Sequence, residues 1–245
     1  MTGIQSLVST MQVQWQRHEV LANNLANLST PGFKQDDLAP APDRPAEAPG
    51  ISVNGGSTMP GGILGMVQWT DYSQGALQET GRNLDVALNG PGFLVVETPN
   101  GPRYTRAGAF SVSNAGRLIT VTGFPVVGEQ GPITLGGTRV TITPRGEIQQ
   151  DGQQVGTLKV VDFPKPYRLL KEGNGLFAPA DPSSAPQPAK DFEVVAGALE
   201  NSNVNAVETM VSMIDVLRRY EAAQRAIQAV HEASRQATSE IGKVA

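Results

Sequence analysis

Apolar residues recur at helical spacing at both ends of the chain and at strand spacing between them. Ile4, Leu7, Met11, His18, Leu21, Leu25 and Leu28 fall on a seven-residue repeat, and Val8 and Trp15 widen the stripe, so the spacing predicts a packing helix over residues 4–28. Gln14 and His18 put polar groups on that seam. Arg17 and Glu19 are its only charged residues, which leaves little polar cover for a solvated back face and implies that more than one face meets a neighbour. Pro31 and Gly32 in Ser29-Thr30-Pro31-Gly32 then end the helix, because proline disfavours helix at the residue before it and glycine permits a sharp turn.

A second helical pattern runs from about Asn203 to Gly242. Met213, Val216, Tyr220, Ala223, Ile227, Val230, Ala237 and Ile241 keep heptad spacing, while Val207, Met210, Ile214 and Leu217 form a second apolar stripe at its start. Two stripes call for two partners. Some forty residues of helix span roughly 60 Å, longer than the N-terminal helix can cover, so the excess is expected to dock on other chains or stay partly disordered in the free subunit.

Between the helices the pattern changes twice. Residues 31–62 hold six Pro and six Gly and few large apolar side chains, the composition of a semi-stiff linker or an irregular loop. From about residue 67, short strand-like runs are separated by turn signals: FLVVET (93–98), Asn100-Gly101, YTRAGAFSV (104–112), RLITV (117–121), VTIT (140–143), EIQQ (147–150), Asp151-Gly152 and TLKVVDF (157–163). Turns at that frequency predict a compact all-β domain, and the Asn-Gly and Asp-Gly pairs suit type I′ hairpins. The expected fold is α+β: N- and C-terminal helices (1–30 with 203–245) pairing as a coiled-coil domain, a Pro/Gly-rich linker (31–66), and a central all-β domain (67–202).

Composition narrows the function. The 245 residues carry 17% charged side chains and a formal charge of −4, too little for a nucleic-acid-binding field. With no cysteine there is no disulfide and no thiolate chemistry or thiolate metal site. His18 and His231 stand apart on helical patterns without carboxylates at ligand spacing, so no metal is expected. No hydrolase, zincin or phosphate-loop string occurs, and Asp85, Glu97, Asp162 and Glu172 show no spacing that singles out a glycosidase pair. An enzyme is not expected, nor a cofactor or small-molecule substrate. The first fifteen residues carry no Lys or Arg and interrupt their apolar positions with polar ones, unlike a secretory signal peptide. Arg103, Arg106, Arg117, Arg139 and Arg145 lie near β turns, where arginines keep strand edges soluble.

Asn23, Asn24 and Asn27 are unusual within a helix, because asparagine competes for backbone hydrogen bonds. One reading is fraying before Pro31; the sharper one is that these amides bond across a helix–helix interface and set its register.

The string LANNLANLSTPGFK (21–34) resembles the N-terminal signature of the bacterial flagellar rod and hook protein family. TGRNLDVALNGPGFLVVETPNGPRYTRAGAFSVSNAGRLITVTGFPVVGEQGPI (80–133) is similar to its β-domain block, and GALENSNVNAVETMVSMIDVLRRYEAAQRAIQ (197–228) to its C-terminal block. The resemblance implies a structural subunit of the flagellar basal-body rod, with terminal helices in an inner tubular layer around the export channel and the β domain outside. It implies copies of itself and other rod proteins as partners, export by the flagellar type III apparatus without a cleaved signal peptide, and a place in the rod across the cell envelope. Within the family the short chain and single β domain look most like the proximal-rod member, with the distal-rod protein second. Expected subunit-interface residues are Ile4, Leu7, Met11, Leu21, Asn23, Asn24, Leu25, Asn27, Leu28, Met213, Val216, Tyr220, Ile227 and Val230, with Pro31, Gly32 and Phe33 as the turn into the linker. The terminal segments are expected to order on assembly. A secreted carbohydrate-binding β protein with helical termini and a cytoplasmic coiled-coil adaptor are the readings from other classes.

Overall fold

The computed structural model describes residues 2–40, 66–136, 139–181 and 184–244. Helix α1 spans Thr2–Ala26 and helix α2 spans Ala206–Val244, with β strands between them. α1 closes through a tightened turn in which Asn27 N–H reaches Asn23 and Asn24 carbonyls at 3.2 Å and Thr30 N–H reaches Asn27 O at 3.1 Å. α2 opens on Asn205, whose Oδ1 accepts from the backbone N–H of Val207 (3.1 Å) and Glu208 (3.3 Å). That N-cap satisfies two donors that the first helical turn leaves free, and Glu208 adds a favourable charge there.

The central region is a set of small antiparallel sheets. Its largest has six strands, in the order 169–173, 176–179, 101–105, 93–98, 160–162, 187–188. A three-stranded sheet (140–142, 147–150, 153–157) and a hairpin (110–112 with 118–120) pack beside it. One apolar core gathers Val86, Leu94, Val96, Phe110, Ile148 and Leu158 among others; a second is aromatic, built on Phe93, Tyr104, Phe163 and Phe177. Phe93 sits at its centre, with Phe177 at 5.5 Å and Phe163 at 5.8 Å, edge to face.

Entry to and exit from this β body lie side by side. Leu77–Glu79 pairs with Ala198–Glu200, and Val86–Asn89 pairs with Glu193–Ala196. The chain therefore enters and leaves at one end, which brings α1 and α2 together as an antiparallel pair.

Several expectations need correction. The span 31–66 is not linker throughout: strand β1 (Asp36–Pro40) pairs with strand β2 (Met66–Thr70), and residues 41–65 between them lie outside the described residues. YTRAGAFSV is two strands rather than one, because Gly108 presses on the neighbouring strand, a Cβ there falling 1.7 Å from Val86 O. TLKVVDF is likewise divided, between 153–157 and 160–162. Asp151-Gly152 takes positive φ at both residues (50° and 85°), as a type I′ turn requires. At Asn100-Gly101 only Gly101 does (96°), since Pro99 starts the turn with a fixed negative φ.

Candidate assembly face and the buried junction

Three distant stretches of chain meet where the helices join the β body. The segment after α1 turns at Gly32, whose φ is +69° and whose N–H donates to Glu200 O at 2.7 Å. A Cβ at Gly32 would lie 2.4 Å from Ala107 N, so only glycine lets the two backbones approach. Phe33 is buried with the Lys171 ammonium 4.3 Å from its ring centroid.

Lys34 comes next, 1% exposed, and its Nζ donates to Glu200 Oε1 at 2.5 Å and to Ser73 O at 2.6 Å. Glu200, 0% exposed, also accepts from Gly75 N–H on Oε1 (3.0 Å) and from Arg106 Nη1 on Oε2 (3.2 Å). Arg106 donates further to Gly90 O at 2.8 Å and lies 5.4 Å from the Phe93 ring centroid, while its Nε is buried without a partner. One anion thus sits between two cations. Burial pushes the Lys34 ammonium below its usual range, opposed by attraction to Glu200.

A second lock lies alongside. Asp36 accepts from Lys171 Nζ at 2.9 Å and from Thr70 Oγ1 at 2.6 Å. Lys171 is also lowered by burial, with Asp36 pulling the other way. The Asn24 amide grips the Asp36 backbone at both ends, donating to its carbonyl (2.7 Å) and accepting from its N–H (2.9 Å). Asn203, just ahead of α2, accepts from Gln35 N–H at 2.7 Å and donates to Asp71 O at 3.0 Å.

Within one chain these asparagines do not bond across the helix pair. Asn24 is buried and ties α1 to β1; Asn27 bonds within its own turn, to Asn23 O and Thr30; Asn23 is exposed. None of the hydrogen bonds found for their side chains reaches α2; the Asn24 amide is taken up by the Asp36 backbone of β1.

Along the helix pair, Leu7, Met11, Leu21, Leu25 and Leu28 are half-buried, as are Met213, Tyr220 and Ile227, and Val216 is buried. Trp15 packs 6.5 Å from Tyr220, ring to ring. The Ile4 side chain lies outside the described residues, and Val230 is 38% exposed near where α1 runs out. Gln14 is buried on the seam with Oε1 unpaired. One apolar seam is thus covered within the chain. The second stripe is not: Val207 is 72% exposed and Ile214 51%, with Met210, Val211 and Leu217 similarly open.

Lys34, Asp36, Arg106, Lys171, Glu200 and Asn203 are missing from the site residues expected from sequence, and Arg106 is buried rather than an edge arginine. Lys34 stood inside the recognised STPGFK string, but its partner is 166 positions away and nothing local marks it.

A helix pair with one uncovered apolar face, locked to a β body through buried charges, defines the class: a structural subunit. Three family profiles match the chain in order: "Flagella basal body rod protein" over residues 4–34, "Flagellar hook protein FlgE/F/G D1 domain" over 87–150, and "Flagellar basal body rod FlgEFG protein C-terminal" over 195–240. Each contributes one member of the Lys34–Arg106–Glu200 cluster. The chain is 32% identical to the flagellar basal-body rod protein FlgF of Caulobacter vibrioides, with 92% of each covered. It is 35% identical to FlgF of Salmonella typhimurium (87% of each) and 28% identical to FlgG of Bacillus subtilis (92% of this chain, 93% of that one). The chain belongs to the flagellar basal-body rod protein family. It is a structural rod protein and not an enzyme.

Proposed function

We propose that the subunit assembles helically into the rod, a drive shaft that carries torque and encloses the export channel, by laying the uncovered stripe of α2 against a neighbouring copy or another rod protein. The observation that carries this is the row Val207, Met210, Val211, Ile214 and Leu217, 44–72% exposed on a helix whose opposite face is already covered. A contiguous apolar row of this kind marks an association surface. Burying one such side chain from full exposure contributes about 1.5–3 kcal/mol, so five partly exposed ones supply several kcal/mol to each contact. Contacts between unlike faces that do not close a ring build a helical tube.

Coiled-coil packing of α1 on α2 belongs to the same reading, supported by the heptad spacing of Met213, Val216, Tyr220, Ala223 and Ile227 and by the burial of Val216 and Ala223. So do the interface roles of the residues named from sequence, export through the type III apparatus without a cleaved signal, and a rod position across the cell envelope. Proximal placement is supported by the short chain and the single compact β body; labelling this chain in imaged basal bodies tests it.

Ile214→Glu tests the stripe. Because Ile214 is open to solvent, the variant's melting midpoint should stay within about 2 °C of wild type, matching the small effect expected of surface changes. Its recovery in purified basal bodies should fall at least about tenfold, the change that a 1.4 kcal/mol loss produces at one contact. Undiminished incorporation would sink the assignment of this face.

A further inference from the structure

We propose that Glu200 is a positioning residue: its carboxylate, held between Lys34 and Arg106, fixes how the helix pair is set on the β body and thereby aims the uncovered stripe of α2. The consequence for assembly rests on the rod-subunit reading; the geometry does not.

Neither apolar core contains a residue of α1, of α2 or of the 32–36 segment. The helix pair thus does not share in either core, and buried polar contacts at the junction tie it to the β body. Apolar contact is non-directional and tolerates sliding. Charge-assisted hydrogen bonds accept one geometry. Both Glu200 oxygens are committed, Oε1 to Lys34 and to Gly75 N–H, Oε2 to Arg106. Each arm is anchored: Glu200 on a strand paired with Leu77–Glu79, Arg106 against Phe93 of the aromatic core, Lys34 two residues past the Gly32 turn. Buried ion pairs often add little net stability compared with apolar side chains of similar volume, and their best-attested use is to select one arrangement. A fully buried anion joining segments 94 and 166 positions apart fits that use.

The chain lacks cysteine, so Gln12→Cys on α1 and Asn100→Cys at a β-body turn, both exposed, accept a pair of spin labels uniquely. The labelled full chain should give one narrow distance distribution. Glu200→Gln, which turns an amide N–H₂ toward a cation, should broaden or split it.

The deciding variant combines Lys34→Met, Arg106→Met and Glu200→Met, which removes every charge of the cluster while keeping its bulk. If it melts near the wild-type temperature yet shows a broadened distribution and a several-fold loss of incorporation into rods, Glu200 positions. A stable triple variant with the narrow wild-type distribution overturns the proposal, and so does a broadened one that still builds rods at wild-type yield. Should the triple variant not fold, Glu200→Asp, one methylene too short to reach both cations, gives the same reading: broad supports, narrow overturns. Absence of the wild-type chain from basal bodies would refute the rod reading and leave the distance result standing.

Discussion

Asn23 and Asn24 are adjacent, identical in chemistry and equally poor helix formers, so replacing each by alanine separates propensity from tertiary structure. Asn23 is exposed, whereas Asn24 is 3% exposed and makes hydrogen bonds of 2.7 and 2.9 Å with the Asp36 backbone. Asn23→Ala loses no buried partner and gains helix propensity, a stabilisation of up to about 0.7 kcal/mol. Asn24→Ala gains the same amount but strands the Asp36 N–H and C=O, each costing about 1–3 kcal/mol when buried and unpaired. The net loss is about 3 kcal/mol, or roughly 6–12 °C in melting midpoint for a chain of this size. Urea unfolding of the two variants, followed by circular dichroism and by Trp69 fluorescence on β2, measures the difference. If Asn24→Ala falls within about 0.5 kcal/mol of Asn23→Ala, the amide is not what ties α1 to β1, and the account of the junction fails with it.

Gly32→Ala and Gly152→Ala form a second contrast. Both sites have positive φ, costing about 1–2 kcal/mol for a side chain. Gly152 faces open space, whereas a Cβ at Gly32 meets Ala107 N at 2.4 Å. Denaturation should therefore show Gly32→Ala as the more damaging change by at least about 1 kcal/mol, and equal losses would contradict the close approach. In alkali, burial holds the phenols of Tyr72, Tyr104 and Tyr167 above their usual range. Their folded pKa values are raised, so the unfolded chain loses these protons first, and stability is present below about pH 10 and lost as pH rises beyond it. Unfolding midpoints measured against tyrosinate absorbance should fall together above that pH; tyrosinate forming in a chain that keeps its neutral-pH stability would refute the assignment.

Local signals carried the sequence a long way. Heptad spacing marked both helices, Pro31-Gly32 marked the end of the first, and the spacing of turn signals placed strands such as 93–98 and 147–150. Those features come from residues a few positions apart, where backbone geometry alone imposes the period. The sequence also contained two stripes on the second helix. Which would find a mate within the chain and which would stay uncovered depends on how the β body returns the chain beside α1, and no local pattern records that.

The junction lay furthest from view. Lys34, Arg106 and Glu200 look like ordinary surface charges until strand pairing at 77–79 with 198–200 and at 86–89 with 193–196 brings them together. Sequence determined the helices, several of the strands and the family signatures, because periodicity and turn chemistry act between neighbours. Only the tertiary structure decided that Asn24 holds a strand rather than a helix and that one buried carboxylate joins three segments, because desolvation and ion pairing arise once distant residues have excluded water from between them.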